Sequence, residues 1–198
     1  MTRLRIPVTA SLLLLAFSAP AQDLSDWGLG SFDPSALMAS GTDLLMRAPD
    51  ASIDGLFQAV RASARSPQDS RVLCELFDPQ AERSLEGYNA IAAQLGQDSR
   101  TRFANAVADV FVSAAQSPRQ PYDANVAGQA LKAAGVRAAI LDGNFLSGLN
   151  GNDHNARCRS VGSLLESLQS RPMGERAAVT RLLLSQGLNY LSVANAPR

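Results

Sequence analysis

Apolar residues recur along most of this chain at spacings of three and four, the period that puts them on one face of an amphipathic helix. Ile53, Leu56, Phe57 and Val60 form the first such face. Ser66-Pro67-Gln68-Asp69 then supplies a cap and a proline at the first helical position, leading into Val72, Leu73, Leu76 and Phe77. Asp78-Pro79 repeats the start signal ahead of Leu85, Tyr88, Ile91, Ala92 and Leu95, with Gly96 placed to end that helix. A further helix opens at Asp98 or Ser99, with Phe103, Ala106, Val107, Val110, Phe111 and Ala114 on its face, and stops before Pro118. Ala104, Ala108 and Ala115, on another side of that helix, are small enough to let a neighbour approach closely.

After the proline-marked connection Ser117 to Tyr122, Asp123 caps a helix bearing Val126, Ala127, Ala130, Leu131 and Ala134, which Gly135 ends or bends. Ile140, Leu141, Phe145, Leu146 and Leu149 predict one more helix, interrupted by Asp142-Gly143-Asn144, and the tract from Gly148 to Asn155 has the composition of a loop. Cys158, Val161, Leu164, Leu165 and Leu168 resume the helical period. Pro172 starts a last helix with Ala177, Leu182, Leu183, Leu184, Leu188 and Leu191. Alternation of apolar and polar residues never persists and runs of β-branched residues are absent, so no strand is predicted. The expected fold is all-α, a compact bundle of about seven short helices with short connections and one disulfide. No repeat near 34 or 40 residues is clear enough to mark a solenoid, although the successive helical pairs leave that architecture open.

The amino-terminal end follows a different pattern. Arg3 and Arg5 precede an apolar run from Ile6 to Phe17, and Ala19-Pro20-Ala21 follows as a small-x-small cleavage motif, which together read as a secretory signal peptide over residues 1–21. A run of about a dozen residues falls short of the roughly 20 that span a bilayer, so no membrane anchor is expected once Gln22 becomes the first residue. Residues 22–49, rich in Asp, Ser and Gly, read as a leader that is partly disordered or holds a short helix, started by Asp33-Pro34 with Leu37, Met38, Leu44 and Leu45 and interrupted by Gly41; residues 50–198 form the helical domain. About 177 residues remain after cleavage, which suits one domain.

Export changes how the two cysteines are read. Cys74 and Cys158 allow a single intramolecular pairing, and an oxidising compartment lets that disulfide persist. Neither lies at the cleavage point, where a lipid-anchored cysteine would have to be. The formal net charge is zero and loss of Arg3 and Arg5 leaves the mature chain slightly acidic, so nucleic acid is not an expected partner. Lys132 is the only lysine among many arginines, and alanine is abundant. This bias fits a GC-rich bacterial genome and, with the short signal, a Gram-negative periplasm or secretion beyond it. The absence of ten-residue alternating segments speaks against an outer-membrane barrel.

His154 is the only histidine, which leaves no histidine-rich metal site, and oxidised cysteines are not thiolate ligands. No Gly-x-Ser-x-Gly elbow accompanies it. Asn152, Asp153 and His154 sit in a polar loop whose spacing does not match a calcium-binding loop, so a turn explains the asparagines and glycines. No metal or cofactor is expected. Glu166, flanked by Leu164, Leu165 and Leu168, is a weak candidate general acid, since desolvation by apolar neighbours suits a carboxyl for glycoside cleavage. The pair Glu166-Ser167 resembles the catalytic dipeptide of lytic transglycosylases, without the Gly-Leu-Met-Gln that should follow it. Arg157 and Arg159 flank Cys158, and Arg171, Arg176 and Arg181 lie downstream, residues able to meet an acidic partner surface.

With so sparse a catalytic inventory, the sequence points to a non-enzymatic exported protein that binds another exported protein, for instance an immunity or inhibitor protein against a toxin or enzyme. The candidate contact residues are Asn152, Asp153, His154 and Arg157 in one loop region and Arg119 and Tyr122 in another, because loops on a rigid scaffold are common contact sites. The competing expectations are an envelope-polymer (peptidoglycan) hydrolase using Glu166, and a helical carrier of an apolar ligand.

Overall fold

A computed structural model describes residues 34–78 and 84–194, and every structural statement below concerns those residues. The signal peptide, the leader up to Asp33 and the start signal at Pro79 lie outside them. The described residues belong to the compact unit that runs from Asp33 to Arg198. They form nine α-helices and no strand: α1 Pro34–Arg47, α2 Asp50–Ala64, α3 Ser70–Glu75, α4 Leu85–Gln94, α5 Gln97–Gln116, α6 Ala124–Leu141, α7 Phe145–Asn150, α8 His154–Gln169 and α9 Met173–Ala194. The all-α bundle is therefore as expected, although lengths range from 6 residues in α3 and α7 to 22 in α9.

The helices α2 and α9 are the axis of the bundle, since both contribute to each of two apolar clusters. In one cluster Phe57 of α2 and Val179 of α9 meet Ala130 and Ala134 of α6 and Val161, Leu165 and Leu168 of α8. In the other, Ile53 of α2 and Ala177 of α9 meet Leu45 of α1 and Val110 and Ala114 of α5. Polar links fix the direction of the pair: Asp54 binds Arg176 while Asp50 binds Arg181, so the two helices run antiparallel.

Alanine supplies much of this interior. Ala48, Ala114, Ala127, Ala134, Ala138 and Ala177 are fully buried, whereas Val126, Val136, Ile140 and Leu141 are exposed. On α6 the buried stripe is Ala127, Ala130, Ala134 and Ala138, which brings the backbone close to α8 and α9 and turns Val126 outward, contrary to its expected place in the core. Likewise α5 buries Ser99, Val110 and Ala114. Val107 and Phe111 are exposed, and no neighbour closes over Ala104, Ala108 or Ala115.

Several local boundaries differ from the expected ones for identifiable reasons. The helix α4 ends just ahead of Gly96, as expected, but Gly96 is not in a left-handed cap: with φ −61° it is the N-cap residue of α5. Its N–H donates to Asp69 Oδ1 at 2.7 Å. Ser84 caps α4 by accepting from Gly87 N. The helix α6 continues through Gly135 to Leu141. The loop expected from Gly148 to Asn155 shrinks to residues 151–153, because Gly148 is inside α7 at its contact with α8. A Cβ at Gly148 would overlap Ser160 Oγ and lie 2.8 Å from the Ala156 carbonyl oxygen.

The disulfide joins Cys74 of α3 to Cys158 of α8, 84 positions apart, with their Cα atoms separated by 5.3 Å. A six-residue helix has no stability of its own; this bond and the buried Leu73 hold α3 on the bundle. Among the described residues no helix is long and apolar enough to cross a membrane.

Two stability predictions follow from this packing. Replacing both cysteines by serine is expected to lower the unfolding free energy under oxidising conditions by up to about 4–5 kcal/mol, the chain-entropy value for a loop of this length; a denaturant midpoint equal to that of the wild type would refute the cross-link. Glycine replacement should show opposite signs at two sites. Gly148→Ala is expected to cost about 1–3 kcal/mol through the clash with α8. Gly135→Ala, where a Cβ meets nothing within 4 Å, should stabilise by about 0.5–1 kcal/mol. Equal effects of the two substitutions in urea unfolding would contradict the packing described for α7.

Candidate functional site

The sequence-selected residues fall into three separate places. Asn152, Asp153, His154 and Arg157 come together with the disulfide at the start of α8. Asp153 is the N-cap of that helix, its Oδ1 accepting from Asn155 N at 2.8 Å and Ala156 N at 3.2 Å. Such a cap satisfies donors that the first helical turn cannot pair internally. One turn further in, Arg157 is buried and donates from Nη1 to Asp78 at 3.1 Å and from Nη2 to the Gly151 carbonyl at 2.8 Å, while its Nε has no hydrogen-bond partner. His154 Nε2 lies 3.5 Å from Cys158 Sγ. Of this group, Asn152 and Asp153 are exposed and His154 is half-buried. The arginine and the aspartate thus have structural partners within the chain, and together they lock the α7–α8 corner beside the disulfide.

Arg119 and Tyr122 lie on the α5–α6 connection. That segment is fastened to the end of α1: Gln120 N donates to the Met46 carbonyl at 2.7 Å and Arg47 Nε donates to the Ser117 carbonyl at 3.0 Å. Arg119 is exposed, whereas the Tyr122 oxygen is buried without a hydrogen-bond partner. Burial pushes the Tyr122 phenol pKa up, against the opposing effect of the nearby Arg181 charge. The connection is therefore tied down along its length.

Glu166 occupies a third place, on the outer side of α8. Its two oxygens accept from Arg61 Nε at 3.0 Å and Arg61 Nη2 at 2.9 Å, and Arg65 Nε stands 3.9 Å away. The side chain is 50% exposed. Leu165 and Leu168 point into the bundle instead of surrounding it. A shallow depression of about 340 Å³ adjoins the pair, lined by Arg61, Ala64, Arg65, Gly162, Leu165 and Glu166. A bidentate guanidinium pair occupies the carboxylate and offers no second acid, so this arrangement does not assemble the two-carboxylate geometry of glycoside cleavage. A second depression, lined by Asp142, Asn144, Ser147, Gly148, Ala156, Arg159 and Ser160, lies between α7 and α8. Its aspartate accepts from Asn144 N at 3.0 Å and Ser163 Oγ at 3.2 Å. Among the described residues no group of three His, Cys, Asp or Glu side chains is placed to hold a metal ion.

Sequence reasoning missed the polar clusters that matter most to the scaffold. Arg181 is 1% exposed and donates from Nε to the Leu45 carbonyl at 3.0 Å, from Nη1 to Asp50 at 2.5 Å and from Nη2 to the Ala48 carbonyl. Arg176 forms a two-point pair with Asp54, 2.7 and 2.8 Å, and its guanidinium stands over the Phe57 ring. Asp69 is buried with Ser63 and Ser99: Ser99 Oγ donates to Asp69 Oδ2 at 2.6 Å and accepts from Ser63 Oγ at 2.8 Å and Arg102 Nη2 at 2.9 Å. Nothing in spacing or residue type predicts these long-range pairs. The one sequence signal was the arginine content.

The chain matches no family model, no curated protein and no solved structure. Its class is accordingly the one its own fold defines, an all-α bundle cross-linked by one disulfide, with alanines among the larger apolar residues of its interior and several large apolar side chains on its surface.

Hydrogen bonds from Ser99 and Gly96 hold the Asp69 carboxyl below the usual carboxylate range, with Arg102 adding to the effect against the opposing cost of burial. A carboxylate whose pKa is depressed on folding contributes stability that is fully present above its unfolded value, about 3.9, and is lost as pH falls through the folded value. Ser99→Ala removes the strongest of these bonds and should raise the pKa of Asp69, so that part of the contribution disappears from the acid limb. Urea midpoints measured from pH 2 to 6 check this: the variant should show a shallower loss of stability with acid than the wild type, and parallel profiles would refute the assignment.

Proposed function

We propose that this chain is an exported, non-enzymatic interaction protein: a disulfide-stapled helical scaffold that binds another exported protein, in one concrete form an immunity or inhibitor protein against a delivered toxin or enzyme. The observation that supports this reading is the surface. Val107, Phe111 and Val112 on α5, and Val126, Val136, Ile140 and Leu141 on α6, are exposed, while the buried stripe of α6 is alanine. Large apolar side chains grouped on helix faces mark protein contact sites more often than solvated surface. The polar residues with chemistry to offer, Asp153, Arg157, Glu166 and Asp69, are instead engaged in caps and pairs inside the chain. The signal-like amino-terminus and the disulfide support export, and the arginine and alanine bias supports a bacterial periplasm.

Purification of a carboxy-terminally tagged chain from fractionated host cells tests this reading. The expected result is a periplasmic protein whose amino-terminus is Gln22, accompanied by one exported partner in stoichiometric amount. An uncleaved protein in the cytoplasm would end the export part, and a partner-free protein that releases muropeptides from peptidoglycan, with the release lost in Glu166→Gln, would replace the interaction reading by hydrolysis.

A further inference from the structure

On α6 four alanines, Ala127, Ala130, Ala134 and Ala138, form the buried stripe while Val126, Val136, Ile140 and Leu141 face outward, the reverse of an ordinary amphipathic helix; of its large apolar residues Leu131 alone packs against the core. Val126, Gln129, Ala133, Val136 and Ile140, at i, i+3, i+7, i+10 and i+14, share one exposed face, on which Gln129 is the one polar side chain. Val136 is 61% and Ile140 78% exposed, the latter the most exposed large apolar side chain among the described residues. Leu141 at the helix end and Leu146 in α7 are exposed as well. Leaving such residues in water gives up roughly 1.5–3 kcal/mol of burial each, which a contact would recover.

The charges on this helix are all of one sign. Lys132 and Arg137 border the apolar stripe on its two sides, both are exposed, and neither forms an ion pair among the described residues. No acidic residue occurs between Ala124 and Leu141. The aspartates at its two ends are engaged locally: Asp123 Oδ1 accepts from Asn125 N and Val126 N, and Asp142 accepts from Asn144 N and Ser163 Oγ. A second copy of this chain docked on the same face would set lysine and arginine against lysine and arginine, a like-charge contact that disfavours pairing. A helix with an apolar stripe bordered by Asp or Glu complements both features.

We infer that the exposed face of α6, Val126, Val136 and Ile140 between Lys132 and Arg137, is the docking site for an amphipathic helix of the partner whose apolar stripe is flanked by acidic residues. The inference rests on the interaction reading above and names the surface and the partner chemistry. The mode is a helix packed on a helix, with apolar anchors giving affinity and the flanking charges giving register and orientation.

The test places a photo-crosslinking amino acid at Val136 or Ile140 on α6, and separately at Val107 or Phe111 on α5, in the full chain expressed in its host, and identifies the crosslinked peptide by mass spectrometry. The expected product at Val136 and Ile140 is one segment of another protein with helical apolar spacing and flanking Asp or Glu. Lys132→Glu combined with Arg137→Glu should reduce its yield about tenfold, as loss of two attractive pairs and gain of two repulsive ones implies, with an unchanged thermal midpoint showing that the variant folds. Crosslinks from α5 alone would overturn the α6 site and leave the interaction reading standing; no protein crosslink from either helix would remove both. A product that is this chain's own sequence, that lacks acidic residues, or whose yield is insensitive to the charge reversal would also overturn the inference.

Discussion

The arrangement of the bundle depends on one buried guanidinium. Arg181 lies in the middle of α9 with three of its nitrogens directed at the corner between α1 and α2, two of them to main-chain carbonyls and one to Asp50. The carbonyls of Leu45 and Ala48 are at the end of α1, where a helix leaves acceptors unpaired, and a buried charge is tolerable only when its donors are satisfied. The corner and the arginine therefore require each other, and this mutual requirement fixes where α1 ends, where α2 begins and which turn of α9 lies beside them. The pair of Arg176 with Asp54, one turn further along, extends the same registration down the α2 and α9 axis.

Such polar registration matters because the interior is otherwise permissive. An alanine stripe offers little shape to distinguish one helical register from the next, and it contributes less burial energy than leucine or phenylalanine would. Directional groups supply what the alanines do not: Arg181 and Arg176 on one side of α2, the Asp69, Ser99 and Ser63 cluster where α2, α3 and α5 meet, and the Arg157 to Asp78 pair beside the disulfide. Covalent closure between α3 and α8 adds a constraint that acts mainly on the unfolded chain. The scaffold combines two apolar clusters with several independent cross-links between its helices.

The helical class, most starts and the disulfide were legible in the sequence for physical reasons. A period of three and four needs only local order, Asp123 caps α6 as its position before the apolar run implies, and two cysteines permit one pairing. What the sequence concealed depends on contacts between distant segments. Asp78 pairs with Arg157, 79 positions away, a contact that nothing in its neighbours announces. Gly96 reads as a terminator, but the acceptor that settles its conformation is Asp69 in another turn. Val126 reads as core because hydrophobicity scales rank it above alanine, yet closeness of approach decided which side of α6 turned inward. The candidate residues at the start of α8 were correctly neighbours, while their engagement in a cap and a buried pair was not visible in composition.

The inward alanines and the outward branched residues of α6 are two consequences of one choice. A helix that buries its small side chains packs close to α8 and α9, and the larger residues of the same helix are then forced to the far side by the 3.6-residue period. In a helix that merely covers the bundle, that far side would be expected to carry charged and polar residues of both signs, as the outer face of a solvated helix does. Here it carries Val126, Val136 and Ile140 around a single Gln129, with two cations and no anion. Close packing within the chain explains the alanines completely, but it places no demand on what stands opposite them. The apolar stripe and its uniform charge are the features that the proposed docking of an acidic-edged amphipathic helix would use.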